Sequence, residues 1–338
     1  HVTGIDVAGT IEQSNSDEFK VGEKVLVTGY DMGMNTNGGH SEFVKVPASW
    51  VVKMPENITE KEIMTYGTAG LTAALSVNEL LNNGVTSGEV LVTGATGGVG
   101  SITVAILSKL GFEVTAISGK EEKIPFLKEL GAKEVILRKN FDVENKRPMG
   151  KEKYDGVIDT VGGNILAEAL KLIKYDGVAT CCGLTSSHEL PTNVFPFILR
   201  GVRLIGIDSV EAKKEKKIAA WEKIASDFKV DTLDNLTTEI SLEGIKEAYN
   251  AFHKEFNRDQ YNKYIRLGII DNNVQLKEIK ALFKDADLEN GIINIIDKKS
   301  SNITNKIKQI SKKGLTRFEK AYRSEEHTSE LQSLRHLV

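Results

Sequence analysis

The sequence of 338 residues predicts an α/β protein with a doubly wound parallel sheet, preceded by a β-rich segment. An apolar run at residues 90–92 enters a glycine-rich turn at 94–100 and then a helical pattern of apolar residues. A second apolar run at 113–117 follows at the spacing of a βαβ unit. Two further apolar runs that end in glycine, at 154–162 and 177–184, predict buried parallel strands.

The glycine-rich turn is suited to bind a phosphate group. A turn from a strand into a helix brings backbone N–H groups and the positive end of the helix dipole to one point. Glycine is needed there because a Cβ atom would block the phosphate oxygens. Such a turn can be only a tight connection, but the βαβ context favours a dinucleotide site. We expect the segments around Thr160 and Leu184 to face the dinucleotide as well.

The end of the second strand indicates which dinucleotide is bound. An NAD site usually carries Asp or Glu there, whereas this chain has Ser118, Gly119 and Lys120. A hydroxyl group and a cation suit the 2′-phosphate of NADP, and Arg138 after the next strand adds a second charge. The alternative is that Lys120 opens a solvated helix start, since residues 120–123 read Lys-Glu-Glu-Lys.

Composition excludes several classes of partner. A net charge of −3 gives no reason to expect nucleic acid or an anionic membrane. The sequence has no apolar stretch of transmembrane length and no N-terminal signal pattern. Cys181 and Cys182 are its two cysteines, and we expect both to be small core residues of a reducing, cytoplasmic protein.

A metal site is not expected. The six histidines form no cluster at ligand spacing, and His40 is expected to be a surface or turn residue. Residues 285–296 resemble a calcium loop only superficially, because the twelfth position is Ile296 instead of a bidentate acid. We expect a polar turn there.

The β-rich segment before the glycine turn predicts strands at 4–12, 24–28 and 42–46. Turns are expected at residues 22–23 and 37–39, and a helix is expected to start at Gly67. The predicted order is therefore a partial β domain followed by βα repeats.

Several stretches together resemble the medium-chain dehydrogenase/reductase superfamily, and more narrowly the acryloyl-CoA reductase subfamily of its zinc-free, quinone-oxidoreductase branch. They are Gly4-Ile5-Asp6-Val7-Ala8-Gly9-Thr10, Gly38-Gly39-His40-Ser41-Glu42, Gly67-Thr68-Ala69-Gly70-Leu71-Thr72-Ala73, the glycine turn Thr93-Gly94-Ala95-Thr96-Gly97-Gly98-Val99-Gly100-Ser101, Asp159-Thr160-Val161-Gly162 and Pro196-Phe197-Ile198-Leu199-Arg200-Gly201-Val202-Arg203-Leu204. Zinc-dependent members have Gly-His-Glu where this chain has Gly4-Ile5-Asp6. Ile5 therefore stands in place of a zinc-binding histidine and cannot bind the metal.

The resemblance implies a Rossmann domain together with an incomplete β-rich, GroES-like catalytic domain. The expected divisions are 1–66 for the partial catalytic domain, 67–210 for the NADP-binding domain and 211–267 for the return to the catalytic domain. Residues 268–322 match nothing in the family and are left unassigned, with a foreign origin as the alternative. Residues 323–338 resemble an in-frame translation of a sequencing-library adapter, with an ordinary polar tail as the alternative.

The resemblance also implies NADPH-dependent reduction of the carbon–carbon double bond of an enoyl thioester such as acryloyl-CoA, giving propanoyl-CoA. NADPH quinone oxidoreductase and a non-catalytic NADPH-binding protein are the alternatives. A homodimer is expected in the family. Lys120 stands where Arg is common, which keeps the charge and loses the fork geometry. The implied cofactor contacts are Thr96, Gly97, Gly98, Val99, Ser118, Gly119, Lys120, Arg138, Leu184, Ile198 and Ser209.

No catalytic side chain is named, because the family's Asn-Tyr-Lys-Asp segment has no counterpart in this sequence. That segment supplies active-site side chains in the family. We therefore expect the polypeptide as written to bind NADPH in part and to be a poor enzyme or none.

Overall fold

The computed structural model describes residues 2–141, 143, 147–231 and 237–248. Contacts divide the chain into one unit of His1–Leu242 with Thr328–Val338, and a second of Glu243–His327. Every helix and strand below belongs to the first unit. The assignments made for 249–267, 268–322 and 323–338, and the polar turn expected at 285–296, lie outside the described residues.

A six-stranded sheet, parallel throughout, forms the larger part of the fold, in the order β6-β5-β4-β7-β8-β9. This order reverses between β4 and β7, which makes it a doubly wound Rossmann sheet. The predicted fold class is confirmed. The strands are β4 at Glu89–Val92, β5 at Glu113–Ser118, β6 at Glu134–Leu137, β7 at Tyr154–Asp159, β8 at Ile173–Cys181 and β9 at Arg203–Gly206.

Helices cover both faces of this sheet. On β4, Val90 and Val92 pack in one core with Ile106 of α2 and Trp221 of α6, whereas Leu91 packs in the other with residues of α4. Alternate residues of a strand point to opposite faces, so a strand buried on both sides reads as continuously apolar. The helices are α1 at Glu60–Asn82, α2 at Gly98–Lys109, α3 at Ile124–Glu129, α4 at Gly163–Lys171, α5 at Phe195–Arg200 and α6 at Lys214–Ile224.

The β-rich segment forms a small antiparallel sheet in the order β1-β2-β3. Its strands are β1 at Asp6–Thr10, β2 at Lys24–Thr28 and β3 at Val52–Lys53. A small core of its own includes Phe19, Val25, Val27, Met32 and Val51. This sheet precedes the Rossmann sheet in the chain, as predicted.

The strand predicted at residues 42–46 is wrong. These residues lie in no ladder of the described chain, and Phe43 is 70% exposed. Alternating apolar and polar residues fit a strand only where a neighbouring strand pairs with them, and periodicity does not report that neighbour.

The helix expected to start at Gly67 begins earlier, at Glu60. Thr59 and Glu62 form a capping box, in which each side chain accepts a hydrogen bond from the other residue's backbone N–H. Gly67 instead interrupts α1, with φ 48° and ψ −154°. Beyond the break, the N–H of Thr68 donates to the Asp6 carboxylate at 3.0 Å, so β1 supplies a second cap within α1.

Smaller boundary differences occur around α4. α4 ends at Lys171, and β8 begins at Ile173 instead of at residue 177, where the strand was expected to begin. Among the described residues, no helix is both long and apolar enough to span a bilayer.

Candidate functional site

The glycine-rich turn lies between β4 and α2, at the carboxyl edge of the sheet. Gly94 has φ +58°, and a Cβ on it would come within 2.2 Å of Thr160 Oγ1. A Cβ on Gly100 would come within 2.4 Å of the Gly94 carbonyl oxygen. Only glycine fits either position, so the turn follows a path that other residues cannot take.

Four of the predicted cofactor residues lie at the start of α2: Thr96 and the N-cap residue Gly97 precede the helix, and Gly98 and Val99 open its first turn. Gly97 is the N-cap residue, it is exposed, and no side chain caps the helix. A helix that begins in this way directs backbone N–H groups and its positive dipole end to the surface. This is the arrangement that suits a pyrophosphate.

A second group of predicted residues meets at the ends of β5 and β6. Ser118 pairs in register with Leu137, which places Arg138 next to Gly119. The Arg138 guanidinium lies 3.1 Å from where a Gly119 Cβ would stand. The Lys120 N–H donates to Ser118 Oγ at 3.0 Å, so the hydroxyl group is held at the strand end.

Solvent reaches this second group from one side. Ser118 is buried, whereas Gly119, Lys120 and Arg138 are exposed. Lys120 also precedes a 3-10 turn at Glu121–Lys123, which fits the helix-start alternative equally well. The structure therefore brings a hydroxyl group and two cations to one edge, and their role toward a phosphate stays a prediction.

The remaining predicted cofactor residues lie on three separate segments. Leu184 follows β8, where a Cβ on its neighbour Gly183 would come within 2.0 Å of the Thr160 carbonyl oxygen. Ile198 lies on α5 and is 68% exposed. Ser209 is buried, and its Oγ lies 2.7 Å from Thr72 Oγ1 of α1. Leu184 thus joins the turn after β7, while Ser209 contacts α1 through its side chain.

Asp159 was not among the predicted site residues. It is the last residue of β7 and the first of the stretch Asp159-Thr160-Val161-Gly162, which resembles the family. It is fully buried and accepts a hydrogen bond from the Thr93 hydroxyl at 2.6 Å. Burial raises the pKa of Asp159 to about 6, against hydrogen bonds from Thr93, Gly162 and Val161 that lower it. A charged residue directly after the apolar pair Val157 and Ile158 was the signal that could have identified it.

Both cysteines were expected to be core residues, but neither is fully buried. Cys181 and Cys182 are both half-buried thiols, and the Cys182 thiol donates to the Asp159 carbonyl oxygen at 3.5 Å. Burial raises the pKa of the Cys181 thiol, and the negative charge of Asp159 raises it further. A thiol with a raised pKa is a weak nucleophile at neutral pH.

No group of three His, Cys, Asp or Glu side chains within the described part of the chain is arranged to hold a metal ion. His40 is half-buried instead of on the surface, with Nδ1 2.9 Å from Thr3 Oγ1, and burial lowers its pKa. Asp6 is engaged in capping Thr68. These side chains have structural partners in place of a metal.

Two family models match the chain. The alcohol dehydrogenase GroES-like domain matches residues 1–56, and the zinc-binding dehydrogenase domain matches residues 98–226. Both ranges coincide with parts of the fold that were predicted separately: the small antiparallel sheet and the Rossmann sheet.

Similar proteins cover most of the described chain. YhfP of Bacillus subtilis, which its name assigns provisionally to the quinone oxidoreductases, is 46% identical over 72% of this chain and 74% of its own length. The acrylyl-CoA reductase AcuI of Ruegeria pomeroyi is 43% identical over 72% of this chain and 74% of its own.

The same agreement holds for solved structures. YhfP with NAD bound superposes with a TM-score of 0.73 at 45% identity, covering 75% of this chain and 78% of YhfP. YhdH of Escherichia coli K-12 with NADPH bound gives a TM-score of 0.70 at 43% identity, covering 74% of this chain and 77% of YhdH. The fold, the sequence identity and the glycine turn agree: the chain belongs to the medium-chain dehydrogenase/reductase superfamily and is an oxidoreductase of its zinc-free branch.

Proposed function

We propose that the chain is an NADPH-dependent reductase of a carbon–carbon double bond conjugated to a thioester, with acryloyl-CoA as the model substrate. One observation carries the choice of cofactor: Ser118, Lys120 and Arg138 meet at the end of β5, where an NAD site usually has an acid. The choice of substrate is supported by the 43% identity to an acrylyl-CoA reductase.

The residues present fit a dinucleotide. The approach of Gly100 to Gly94 leaves no room for a Cβ, and the uncapped start of α2 is exposed beside it. Backbone N–H groups of Gly98 and Val99 would hold the pyrophosphate, with Gly97 and the hydroxyl group of Thr96 beside them. The Gly97 N–H itself donates to the Gly94 carbonyl oxygen at 2.9 Å. Lys120 would place a point charge and Arg138 a planar fork on the 2′-phosphate, and Ser118 with Gly119 would hold the strand end that carries them.

NADPH, when bound, supplies a hydride to the β-carbon of the acceptor. The chain's own task is to hold the nicotinamide end over the sheet edge and exclude water from it. We assign Leu184, Ile198 and Ser209 to that end, on the loops after β8 and β9 and on α5. Leu184 and Ile198 are apolar, and apolar groups beside a nicotinamide keep water from the transferred hydride.

Quinone reduction is the second candidate. It is supported by YhfP, which is 46% identical to this chain and carries the quinone oxidoreductase name provisionally. The same cofactor site would serve a planar quinone acceptor as well as an enoyl thioester. The two functions differ in acceptor only.

We also propose a homodimer in the cytoplasm. Among the described strands, β9 is an edge strand of the large sheet, and α5, which precedes it in the chain, exposes Phe195, Ile198 and Leu199 by 40%, 68% and 58%. An edge strand and an exposed apolar helix face are each an aggregation hazard unless a second copy covers them. The cytoplasmic location is supported by Cys181 and Cys182, which are thiols and not a disulfide.

Stopped-flow oxidation of NADPH tests the proposal. A form of the protein that includes the family's Asn-Tyr-Lys-Asp segment is mixed with NADPH and then with acryloyl-CoA or with a soluble quinone at equal concentration. We expect faster loss of NADPH absorbance with acryloyl-CoA. A faster rate with the quinone would favour the second candidate, and binding of NADPH without oxidation by either acceptor would contradict both.

A further inference from the structure

We propose that Asp159 is a positioning residue, whose carboxylate holds the glycine-rich turn and the turn at residues 160–163 in the arrangement that receives the dinucleotide. This inference rests on the proposed cofactor site and deepens it. Asp159 itself is buried beneath both turns, so it acts through the backbone that it holds.

The carboxylate is the point where the two turns meet. Oδ1 accepts the hydroxyl proton of Thr93, the residue that leads from β4 into the glycine turn, at 2.6 Å. Oδ2 accepts the N–H of Gly162 at 2.8 Å and that of Val161 at 3.3 Å. An ionised carboxylate is a pure acceptor, and all three groups around it are donors.

Thr93 closes the connection in the other direction. Its Oγ1 accepts the N–H of Thr160 at 3.0 Å, and its carbonyl oxygen accepts the Thr160 hydroxyl at 2.9 Å. The Thr160 side chain occupies the space in which a Cβ on Gly94 would stand. A shift of Asp159 would therefore move Thr160 against the glycine turn.

A third loop is attached to the same residue. The N–H of Cys182, just after β8, donates to the Asp159 carbonyl oxygen at 3.1 Å. The N–H of Ser186 donates to the Val161 carbonyl oxygen at 2.8 Å. The loop that carries Leu184 is thereby tied to the turn that Asp159 orders. Three neighbouring strand ends thus meet at Asp159, two of them through its carboxylate and the third through backbone carbonyl oxygens.

The location of this carboxylate is costly for folding. Burial disfavours its charged form and raises its pKa, so an apolar residue at this position would destabilise the folded state less. A buried network in which every donor meets an acceptor fixes one arrangement of the backbone. The same strand offers a comparison at its opposite end, where Asp155 accepts the N–H of Glu89 at 2.8 Å and the ammonium of Lys174 at 2.8 Å.

The test compares Asp159→Asn with Asp155→Asn in the full chain, by fluorescence titration with NADPH and by thermal unfolding. Asparagine places an N–H₂ group against a donor at either site. We expect Asp159→Asn to raise the Kd for NADPH about tenfold, because the free energy lost when a buried hydrogen bond is left unmade corresponds to about that factor in affinity. Asp155→Asn should lower Tm and leave Kd within about twofold, because its network lies at the opposite edge of the sheet.

Thr93 provides a second pair of variants should Asp159→Asn fail to fold. Thr93→Ser keeps the hydroxyl group and should keep the Kd, whereas Thr93→Val keeps the shape and should raise the Kd about tenfold. Equal Kd values for Thr93→Val and Thr93→Ser, or for Asp159→Asn and Asp155→Asn, would overturn this inference alone. A wild-type chain that binds no NADPH would overturn the cofactor site and this inference with it.

Discussion

The ammonium group of Lys217 lies 3.3 Å from the centroid of the Tyr30 ring, in a fully buried position. Its Nζ also donates to the carbonyl oxygens of Thr28 at 2.7 Å and Val210 at 2.9 Å. One side chain of α6 thus joins the end of β2 to the segment that carries Ser209. Cation–π attraction and two carbonyl acceptors stabilise the charge, and no carboxylate of the described residues forms an ion pair with it.

The first prediction concerns the pH dependence of stability. Burial lowers the pKa of Lys217 to about 8, and the charges of Glu211, Asp208 and Asp6 oppose that shift. Between pH 8 and 10.5 the unfolded chain binds more protons at this residue than the folded one, so its contribution to stability increases as pH rises. The unfolding free energy of the wild type, minus that of Lys217→Met, should increase by ~1–2 kcal/mol from pH 7.5 to 9.5. Urea unfolding at both pH values measures it.

Lys216→Met is the matched control for this experiment, since Lys216 is the exposed neighbour on the same helix. We expect the change with pH to be smaller for Lys216→Met, because its side chain is exposed. An equal change with pH for the two variants would contradict the prediction.

The second prediction concerns the break in α1. Gly67 has a backbone conformation that L-residues rarely adopt, and a Cβ there would come within 2.8 Å of Asp6 Oδ2. Gly67→Ala should therefore lower the unfolding free energy by about 2–4 kcal/mol, from backbone strain and the displaced cap together. Gly84→Ala is the control, because Gly84 also has positive φ but open space around it, and should cost about 1 kcal/mol. Equal losses would mean that the Asp6 contact is unimportant.

The third prediction concerns metal removal. Ile5 stands where zinc-dependent members have histidine, and Asp6 is used as a helix cap. NADPH binding and any turnover should therefore be unchanged after incubation with EDTA or phenanthroline. Zinc found at one equivalent by elemental analysis, with function lost on its removal, would contradict this expectation.

The fourth prediction concerns assembly. We expect the mass of a dimer by light scattering at micromolar concentration, and Leu199→Asp on α5 should shift the mass to that of a monomer. A buried charge without a partner at the interface costs several times the thermal energy. Val21→Asp is the control, since Val21 is 69% exposed on the small antiparallel domain. A wild-type monomer, or dissociation by Val21→Asp as well, would argue against this interface.

Sequence periodicity predicted the Rossmann half of the fold well, because each βα unit is a short, contiguous pattern: an apolar run that ends in glycine, followed by a helical pattern. The strand at Glu134–Leu137 and the turn after Val92 lie where they were expected. Periodicity failed at residues 42–46 and at the start of α1, where the outcome depends on a distant partner. The cap on Thr68, for example, comes from Asp6, 62 residues away.

The same limit explains what was missed at the site. Gly94 to Val99 could be identified because a phosphate-binding turn is contiguous in sequence. Asp159 could not be assigned a role, because its partner Thr93 is 66 residues away. Lys217 and Thr28 are 189 residues apart. Buried polar networks are built from such pairs, and one sequence carries no record of them.

The most direct test of the central claim is a calorimetric titration of the wild-type chain with NADPH and NADH under one buffer condition. We predict a Kd at least about tenfold lower for NADPH. Arg138→Ala should remove most of that preference and leave the Kd for NADH nearly unchanged, while Lys139→Ala, on an exposed residue paired with Glu121, should change neither. Equal affinity for the two dinucleotides in the wild-type chain, or tighter binding of NADH, would contradict the account.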